Sequence, residues 1–182
     1  AEEQKKIFNE EYPEVFVTVA GSSRYSHNFQ TTARSDATTM YPGFLILIII
    51  LSYVLLRSVS ASLISLIIIF LSILPSMGMA GWLGFEAQPP LIIAPILILT
   101  IALAHAVHIL SIALTNLNEG KSKKEAITES LKINMTPVFL TSLTTAVGVA
   151  GVNFGKIPAF SEMANTVVMG SAISFALSVI VL

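Results

Sequence analysis

Residues Pro89–Asn118 decide the fold of this chain, because PPLIIAPILILTIALAHAVHILSIALTNLN contains no Lys, Arg, Asp or Glu. A helix needs about 20 apolar residues to cross a bilayer, so this stretch is long enough to span one. His105 and His108 lie near its middle, and their spacing places them on neighbouring turns of one helix face. Ionisable side chains at membrane depth are costly and ordinarily face a bundle interior, a cavity or a proton path. The two histidines are therefore the first candidates for a functional site.

The composition is that of a membrane protein. The 182 residues are 54% hydrophobic and 12% charged, with a mean hydropathy of +0.79. A net charge of -1 argues against a nucleic-acid partner, because positive charge is not concentrated on one surface. The absence of cysteine excludes disulfides and thiolate metal sites. Nucleotide-binding, hydrolase and zinc-protease motifs are also absent from the sequence, so we expect no enzyme activity, no cofactor and no metal.

The charged residues divide the sequence into apolar intervals, each about 20 residues or longer. These intervals are Ala37–Leu56, Ser58–Phe85, Ala87–Asn118, Ile133–Gly155 and Met163–Leu182. Backbone groups must be satisfied internally in lipid, and the intervals do not alternate as barrel strands would, so they are expected to be helices. The predicted fold is an all-α, polytopic transmembrane helix bundle. We place its spans at about 42–57, 61–84, 89–116, 136–154 and 161–182.

The first forty residues differ in kind. Glu14–Ala20 (EVFVTVA) is β-branched and short, which indicates a strand. The polar residues Gly21–Thr39 indicate a loop that leads into a helix from about Arg34. Residues 1–41 are too few to fold alone and begin without the apolar core of a signal peptide. We therefore expect them to be the C-terminal end of a larger periplasmic domain of α/β type, and residues 42–182 to be the membrane bundle of a longer chain.

The loops between the spans carry unequal positive charge, which predicts the orientation. Five Lys and Arg residues lie in two alternate turns, against Lys156 alone in the others. The positive-inside rule then puts the 117–135 loop in the cytoplasm and the N-terminal segment in the periplasm. Residues 119–134 place Ile127 and Leu131 on one face, which predicts an amphipathic connector along the inner membrane surface.

The span after this connector is rich in hydroxyl and small residues. Thr141, Thr144, Thr145 and Gly148 share one side of a helix, which indicates either close helix packing or a polar patch that faces the histidines. The candidate proton relay or polar intramembrane patch consists of His105, His108, Thr141, Ser142, Thr144 and Thr145. Gly78, Gly81, Gly148 and Gly151 are expected to pack helices together.

For the two histidines, two interpretations stay open. A neutral imidazole can be a structural member of the bundle, or it can gain and lose a proton, since its ordinary pKa is about 6.5. No Asp or Glu lies inside any of the five charge-free intervals, so a counter-charge would have to come from the rest of the longer chain.

Two passages of the sequence resemble a known family. Ala102–Leu110 (ALAHAVHIL) is similar to the run A-x-A-D-x-x-H-x-L in the fourth helix of resistance-nodulation-division (RND) transporters, in their Patched-like or MMPL-like branch with a sterol-sensing-type membrane half. Glu119–Thr145, which ends in TSLTT, resembles the connector and fifth helix of the same family, and the turn Lys156–Pro158 also fits. The similarity extends over nearly the whole chain after about Val15. His105 replaces the acid that the resemblance implies as the relay group, and His108 falls on the usual histidine.

This resemblance implies a bacterial inner-membrane, multi-pass transporter that exports a hydrophobic or lipid-like substrate, powered by a proton gradient. An alternative is a lipid-sensing or scaffold module without transport, and a second is an auxiliary subunit of a protein-export complex. The expected partners are membrane lipids, a hydrophobic substrate, and either the second six-span repeat of the transporter or a second copy.

Overall fold

The computed structural model describes Tyr12 and residues 21–181, and over this part the chain is helical. It forms five α-helices, which we number α1 to α5, with a short 3-10 helix at Gly151–Phe154 before the last one. The helices are α1 (Ser22–Leu56), α2 (Val59–Trp82), α3 (Pro89–Asn118), α4 (Lys123–Ala150) and α5 (Pro158–Ile180). Each contains a stretch that is long and apolar enough to cross a membrane. The predicted multi-pass helix bundle is confirmed for these residues.

The beginning of the chain differs from the expectation. Helix α1 begins at Ser22 rather than near Arg34, and its membrane-spanning stretch starts at Thr38. Polar Ser and Thr residues disfavour a helix only weakly, and a helix that has formed extends cooperatively into its neighbours. The predicted strand Glu14–Ala20 lies outside the described residues, and an α/β arrangement is not seen within them. The chain divides into two compact units, residues 1–40 and residues 41–182; the second contains the bundle.

Helix α3 is the centre of the bundle, because it packs against α2, α4 and α5. Helix α1 joins them through Ile48, which lies in one apolar cluster with Ile69 of α2 and Leu99 of α3. The contact between α3 and α5 is close: a Cβ added to Gly170 would lie 2.6 Å from Ile98 Cδ1. Glycine is required there because any side chain would displace Ile98, and this close approach brings α5 against the middle of α3.

The amphipathic connector and the fourth span form one helix. Helix α4 runs without interruption from Lys123 to Ala150, so the expected change of element near residue 135 does not occur. Ser122 and Glu125 form a capping box at its beginning, in which each side chain bonds to the other's backbone N–H. Pro137 lies inside the helix and leaves the helical path unbroken. The buried row of α4 begins at Ala126 in the connector and continues to Ser142 in the span, whereas Ile127 and Leu131 of the predicted apolar face are half-buried.

Serine hydroxyls line the buried face of α2. Ser62, Ser65, Ser72 and Ser76 are buried, and each donates to a backbone carbonyl of the preceding turn. Ser65 also lies 2.6 Å from the Ser52 hydroxyl of α1. Such bonds satisfy the hydroxyl within its own helix, so small polar residues can be buried at a low cost in free energy.

The four glycines that the sequence assigns to helix packing lie elsewhere. Gly78, Gly81, Gly148 and Gly151 are exposed, and a Cβ added to any of them would meet nothing within 4 Å. They therefore do not pack against another helix within the part of the chain that the structure describes. A periodic spacing of glycines predicts a helix face without side chains, but it does not show whether another helix packs against that face.

Candidate functional site at His105

His105 lies at the centre of the bundle. Its side chain is 1% exposed and lies on the face of α3 that also buries Ala102, Ala106 and Ile109. These positions recur every three or four residues, which is the spacing of one helix face. The alanines on either side lie in apolar clusters with Ile69 and Ile68 of α2. The sequence therefore builds a narrow polar position into an otherwise apolar contact between three helices.

Both ring nitrogens of His105 have hydrogen-bond partners, and the partners come from different helices. Nδ1 lies 2.9 Å from Ser174 Oγ of α5, and Nε2 lies 2.9 Å from Ser142 Oγ of α4. Both serines are buried, with Ser174 at 0% and Ser142 at 7% exposure. One imidazole thus connects three membrane-spanning helices through two hydrogen bonds.

The hydrogen-bond pattern assigns the proton of the neutral ring. The Ser142 hydroxyl donates its single hydrogen to Val138 O at 2.9 Å, so its oxygen is left to accept from His105 Nε2–H. Nδ1 then accepts from the Ser174 hydroxyl. In this arrangement the neutral imidazole satisfies both nitrogens, as a buried polar group requires.

Protonation of this ring would change one of the two bonds. An imidazolium donates from both nitrogens, so the His105–Ser142 bond keeps its direction while the bond to Ser174 must reverse. The Ser174 hydroxyl would then have to turn its hydrogen toward another acceptor. A proton on His105 would therefore change the contact with α5 more directly than the contact with α4.

The structure places His108 on a different side of α3. Its side chain is exposed and lines an outward-facing groove of about 360 Å³ between α1 and α3. Phe44, Leu51 and Val107 form part of its apolar wall, and Thr100 is its other polar lining residue. The two histidines are thus separated: His105 faces α4 and α5, and His108 faces outward.

The hydroxyl residues of the TSLTT segment, residues 141–145, lie on different faces of α4. Ser142 points inward to His105, whereas Thr141 and Thr144 are exposed and donate to Pro137 O and Leu140 O of their own helix, each at 2.8 Å. Thr145 is half-buried. The buried face of α4 repeats every four residues, and Ser142 belongs to that row while Thr141 and Thr144 do not. The predicted polar patch that faces the histidine is therefore formed by Ser142 and not by the two threonines.

Ser174 is the member of this site that the sequence reasoning missed. It lies in the last span among Ser171 and Ser178, at a spacing that places all three on one helix face. That spacing was the available signal, but it does not reveal which helix the face meets. The contact with His105 depends on the close approach of α5 to α3 at Gly170.

A second polar cluster lies between His105 and the α3–α4 turn. The Ser130 hydroxyl of α4 donates to Ile109 O of α3 at 2.5 Å, and Asn134 Nδ2 donates to Ser130 O at 3.0 Å. Closer to the turn, Asn116 Nδ2 donates to Ala126 O at 3.3 Å. These buried bonds fix the register between α3 and α4, and so they position Ser142 opposite His105.

Comparison with known proteins gives one clear result. Neither the curated proteins nor the solved structures contain a match to this chain. The model of the MMPL family matches residues 3–182, which is almost the whole sequence. This match supports a transporter domain rather than an enzyme. The chain is a multi-pass membrane protein, and it belongs to the MMPL family of the RND superfamily.

Proposed function

We propose that this chain forms part of an inner-membrane transporter that exports a hydrophobic or lipid-like substrate, driven by a proton gradient, with His105 as the group that carries the proton. Membership of the MMPL family supports transport in general. The observation that carries the proton role is the position of His105, buried and bonded to Ser142 of α4 and Ser174 of α5 at 2.9 Å each. The imidazole is the titratable member of this hydrogen-bonded group, because both of its partners are serines.

The mechanism follows from the reversal of one hydrogen bond. When His105 takes up a proton, its Nδ1–H must donate to Ser174, whose own hydrogen turns away. A ligand shifts an equilibrium between two arrangements only when it binds them with different affinity, and the proton does so here because the reversed bond favours a different position of α5. Loss of the proton restores the first arrangement. This cycle links proton movement to the position of α5 relative to α3.

The orientation and the partners belong to the same proposal. The Lys-rich turn between α3 and α4 is on the cytoplasmic side, and the N-terminal segment is periplasmic. The outward face of α3 carries Thr100, His108 and Thr115, which are exposed on a span that lipid would surround. Polar side chains in membrane spans ordinarily face protein or water. We therefore infer that a second bundle, either the other repeat of the transporter or a second copy, covers this face.

Reconstitution tests the role of His105. The protein is placed in liposomes that contain a pH-sensitive dye, with a fluorescent acyl-lipid as the transported probe. His105→Asn keeps a hydrogen-bonding side chain but cannot take up a proton, so proton-driven flux of the probe should fall to the level of empty liposomes. Ser76→Ala is the matched control, because Ser76 is buried in α2 and bonds only to its own helix. Normal flux in His105→Asn would remove His105 from the mechanism.

A second function is favoured by the groove between α1 and α3. Its volume of about 360 Å³ and its lining of Phe44, Leu51 and Val107, with His108 at one side, suit an acyl chain with a polar end. Bound there, a lipid could be sensed without being moved. Saturable binding of the fluorescent lipid without gradient-dependent flux would support this sensor, and Leu51→Trp, which fills the groove, should abolish the binding.

A further inference from the structure

Helix α5 carries two buried hydroxyls that the site at His105 does not use. Ser171 and Ser178 lie about one turn before and after Ser174, on the same helix face. Their exposed fractions are 1% and 0%, and neither hydroxyl has a hydrogen-bond partner. Among the residues that the structure describes, these two hydroxyls are the buried side-chain polar groups without a hydrogen-bond partner. Their position beside the His105–Ser174 pair makes them candidates for a further site.

Three other buried serines of the bundle each donate to a carbonyl of their own helix. Ser72, Ser76 and Ser142 donate to the carbonyl four residues earlier, at 2.7, 2.5 and 2.9 Å. Helix geometry offers the same bond to Ser171 and Ser178, so these hydroxyls point away from their own backbone. An unpaired buried hydroxyl costs free energy, and native proteins ordinarily supply an ordered water to such a group.

The depth of Ser178 in the bundle is set by the packing of α5 on α3. The residue numbers of successive contacts increase along both helices, since Gly170 contacts Ile98 and Ser174 contacts His105. The two helices therefore run in the same direction, and Ser178 is level with the turn of α3 that follows His105. That turn contains Ile109, whose carbonyl accepts the Ser130 hydroxyl of α4.

The polar row of α4 is interrupted at this same depth. Ser130, Asn134, Val138 and Ser142 follow one another every four residues on the buried face. Val138 is 2% exposed and apolar, so α4 alone offers no polar group between Asn134 and Ser142. The packing of α5 on α3 places Ser178 at about this depth of the bundle.

We propose that Ser171 and Ser178 each hold a buried water molecule, and that the water at Ser178 joins the His105–Ser174 pair to the polar cluster of Ser130 and Asn134. A bound water needs two to four polar partners, and we expect the hydroxyls of Ser174 and Ser178 to be among them. The resulting column leads from the α3–α4 turn to His105. The role of this column as a proton route rests on the proposed function. The presence of the water molecules does not depend on transport.

Water-edited solid-state NMR of the complete protein in lipid bilayers tests this hydration. With isotope-labelled histidine and isoleucine, magnetisation from water should reach the His105 ring faster than the methyl groups of Ile69 of α2, which is 0% exposed in an apolar cluster. Ser178→Ala should slow the transfer to His105. Ser76→Ala should leave it unchanged, because that hydroxyl is satisfied by Ser72 O in α2. Equal rates for His105 and Ile69 in the natural protein would overturn the proposal, as would an unchanged rate in Ser178→Ala.

Thermal unfolding provides an independent test with a definite sign. If the Ser178 hydroxyl is dry, Ser178→Ala removes an unpaired polar group and the melting temperature rises. If it binds water, the variant loses those bonds, so we expect the melting temperature to fall or to stay the same. A rise would contradict the proposal. Loss of transport in His105→Asn, together with the water signal at His105 in the natural protein, supports both proposals. Normal transport in His105→Asn, with that signal present in the natural protein, refutes the proton role alone.

Discussion

At the scale of single residues, the hydrogen bond of His105 to α5 depends on the close helix contact at Gly170. The imidazole reaches Ser174 only because α5 lies close to α3, and α5 lies close because Gly170 has no side chain opposite Ile98. A buried histidine in a membrane helix has to satisfy both ring nitrogens, and here two helices do so. The Gly170–Ile98 contact and the His105–Ser174 hydrogen bond are therefore coupled, and a change in one should alter the other.

Gly170→Ala tests this coupling. The added methyl would lie 2.6 Å from Ile98 Cδ1, so we expect a loss of about 1–3 kcal/mol in unfolding free energy from overpacking. Gly78→Ala is the control, because nothing lies within 4 Å of its added Cβ, and it should stabilise by up to about 1 kcal/mol through helix propensity. Denaturant unfolding in detergent measures both. Partial rescue of Gly170→Ala by Ile98→Ala, which removes every side-chain atom of Ile98 that the added methyl would meet, would locate the clash. Equal stabilities of Gly170→Ala and Gly78→Ala would contradict the expectation.

At the scale of elements, α4 shows how a surface segment and a span become one helix. Its capping box starts the helix at Lys123, and its buried residues then recur every four positions from Ala126 to Ser142. Bonds from Ser130 to α3 and from Asn116 to α4 hold the two helices in register. An amphipathic pattern predicts a helix with one apolar face, but it does not tell whether that helix turns along the membrane surface or continues through it.

The Lys121 side chain ties this element to the preceding turn, and it predicts a pH dependence. Nζ donates to Glu129 Oε2 at 2.7 Å and to Asn116 Oδ1 at 2.9 Å. The hydrogen bond to Glu129 raises the pKa of Lys121, with the Glu119 charge adding to it. A raised pKa means that the stabilisation is complete below the ordinary lysine value of 10.5 and is lost as the pH rises through the folded-state value.

Lys121→Met should therefore lower the melting temperature by a small, constant amount from neutral pH up to the ordinary lysine pKa of 10.5. The difference in melting temperature between the variant and the natural protein should disappear only at higher pH. Lys124→Met, which removes an exposed lysine of α4, serves as the control for net charge. Thermal unfolding in detergent over an alkaline pH series measures the difference. A gap that closes between neutral pH and the ordinary lysine value would contradict this assignment.

At the scale of the whole molecule, the bundle presents two kinds of surface to its surroundings. Most of the exposed surface of α2 is apolar, as at Leu63, Phe70 and Leu74. The outward face of α3 instead carries Thr100 and His108 beside the groove. Lipid suits the first surface, and a protein neighbour suits the second.

Site-directed spin labelling tests this difference, and the design is simple because the chain contains no cysteine. A label at Thr100→Cys should show low accessibility to dissolved oxygen in bilayers, since we expect a second bundle to cover it. A label at Leu74→Cys, 66% exposed on α2, should show the high accessibility of a lipid-facing site. Equal oxygen accessibility at the two positions would exclude a covering partner. Cross-linked dimers of Thr100→Cys would identify that partner as a second copy.

The sequence by itself determined the class of protein, the five membrane-spanning stretches and the choice of His105 as a central candidate. These conclusions depend on local properties: the length of charge-free runs and the cost of an ionisable group in lipid. The tertiary structure alone decided that Ser142 and Ser174 hold the ring, that His108 faces outward, and that Gly170 makes the close contact. Each of these depends on which helix faces which, and in an all-apolar bundle that choice arises from the packing of many side chains at once rather than from any local pattern.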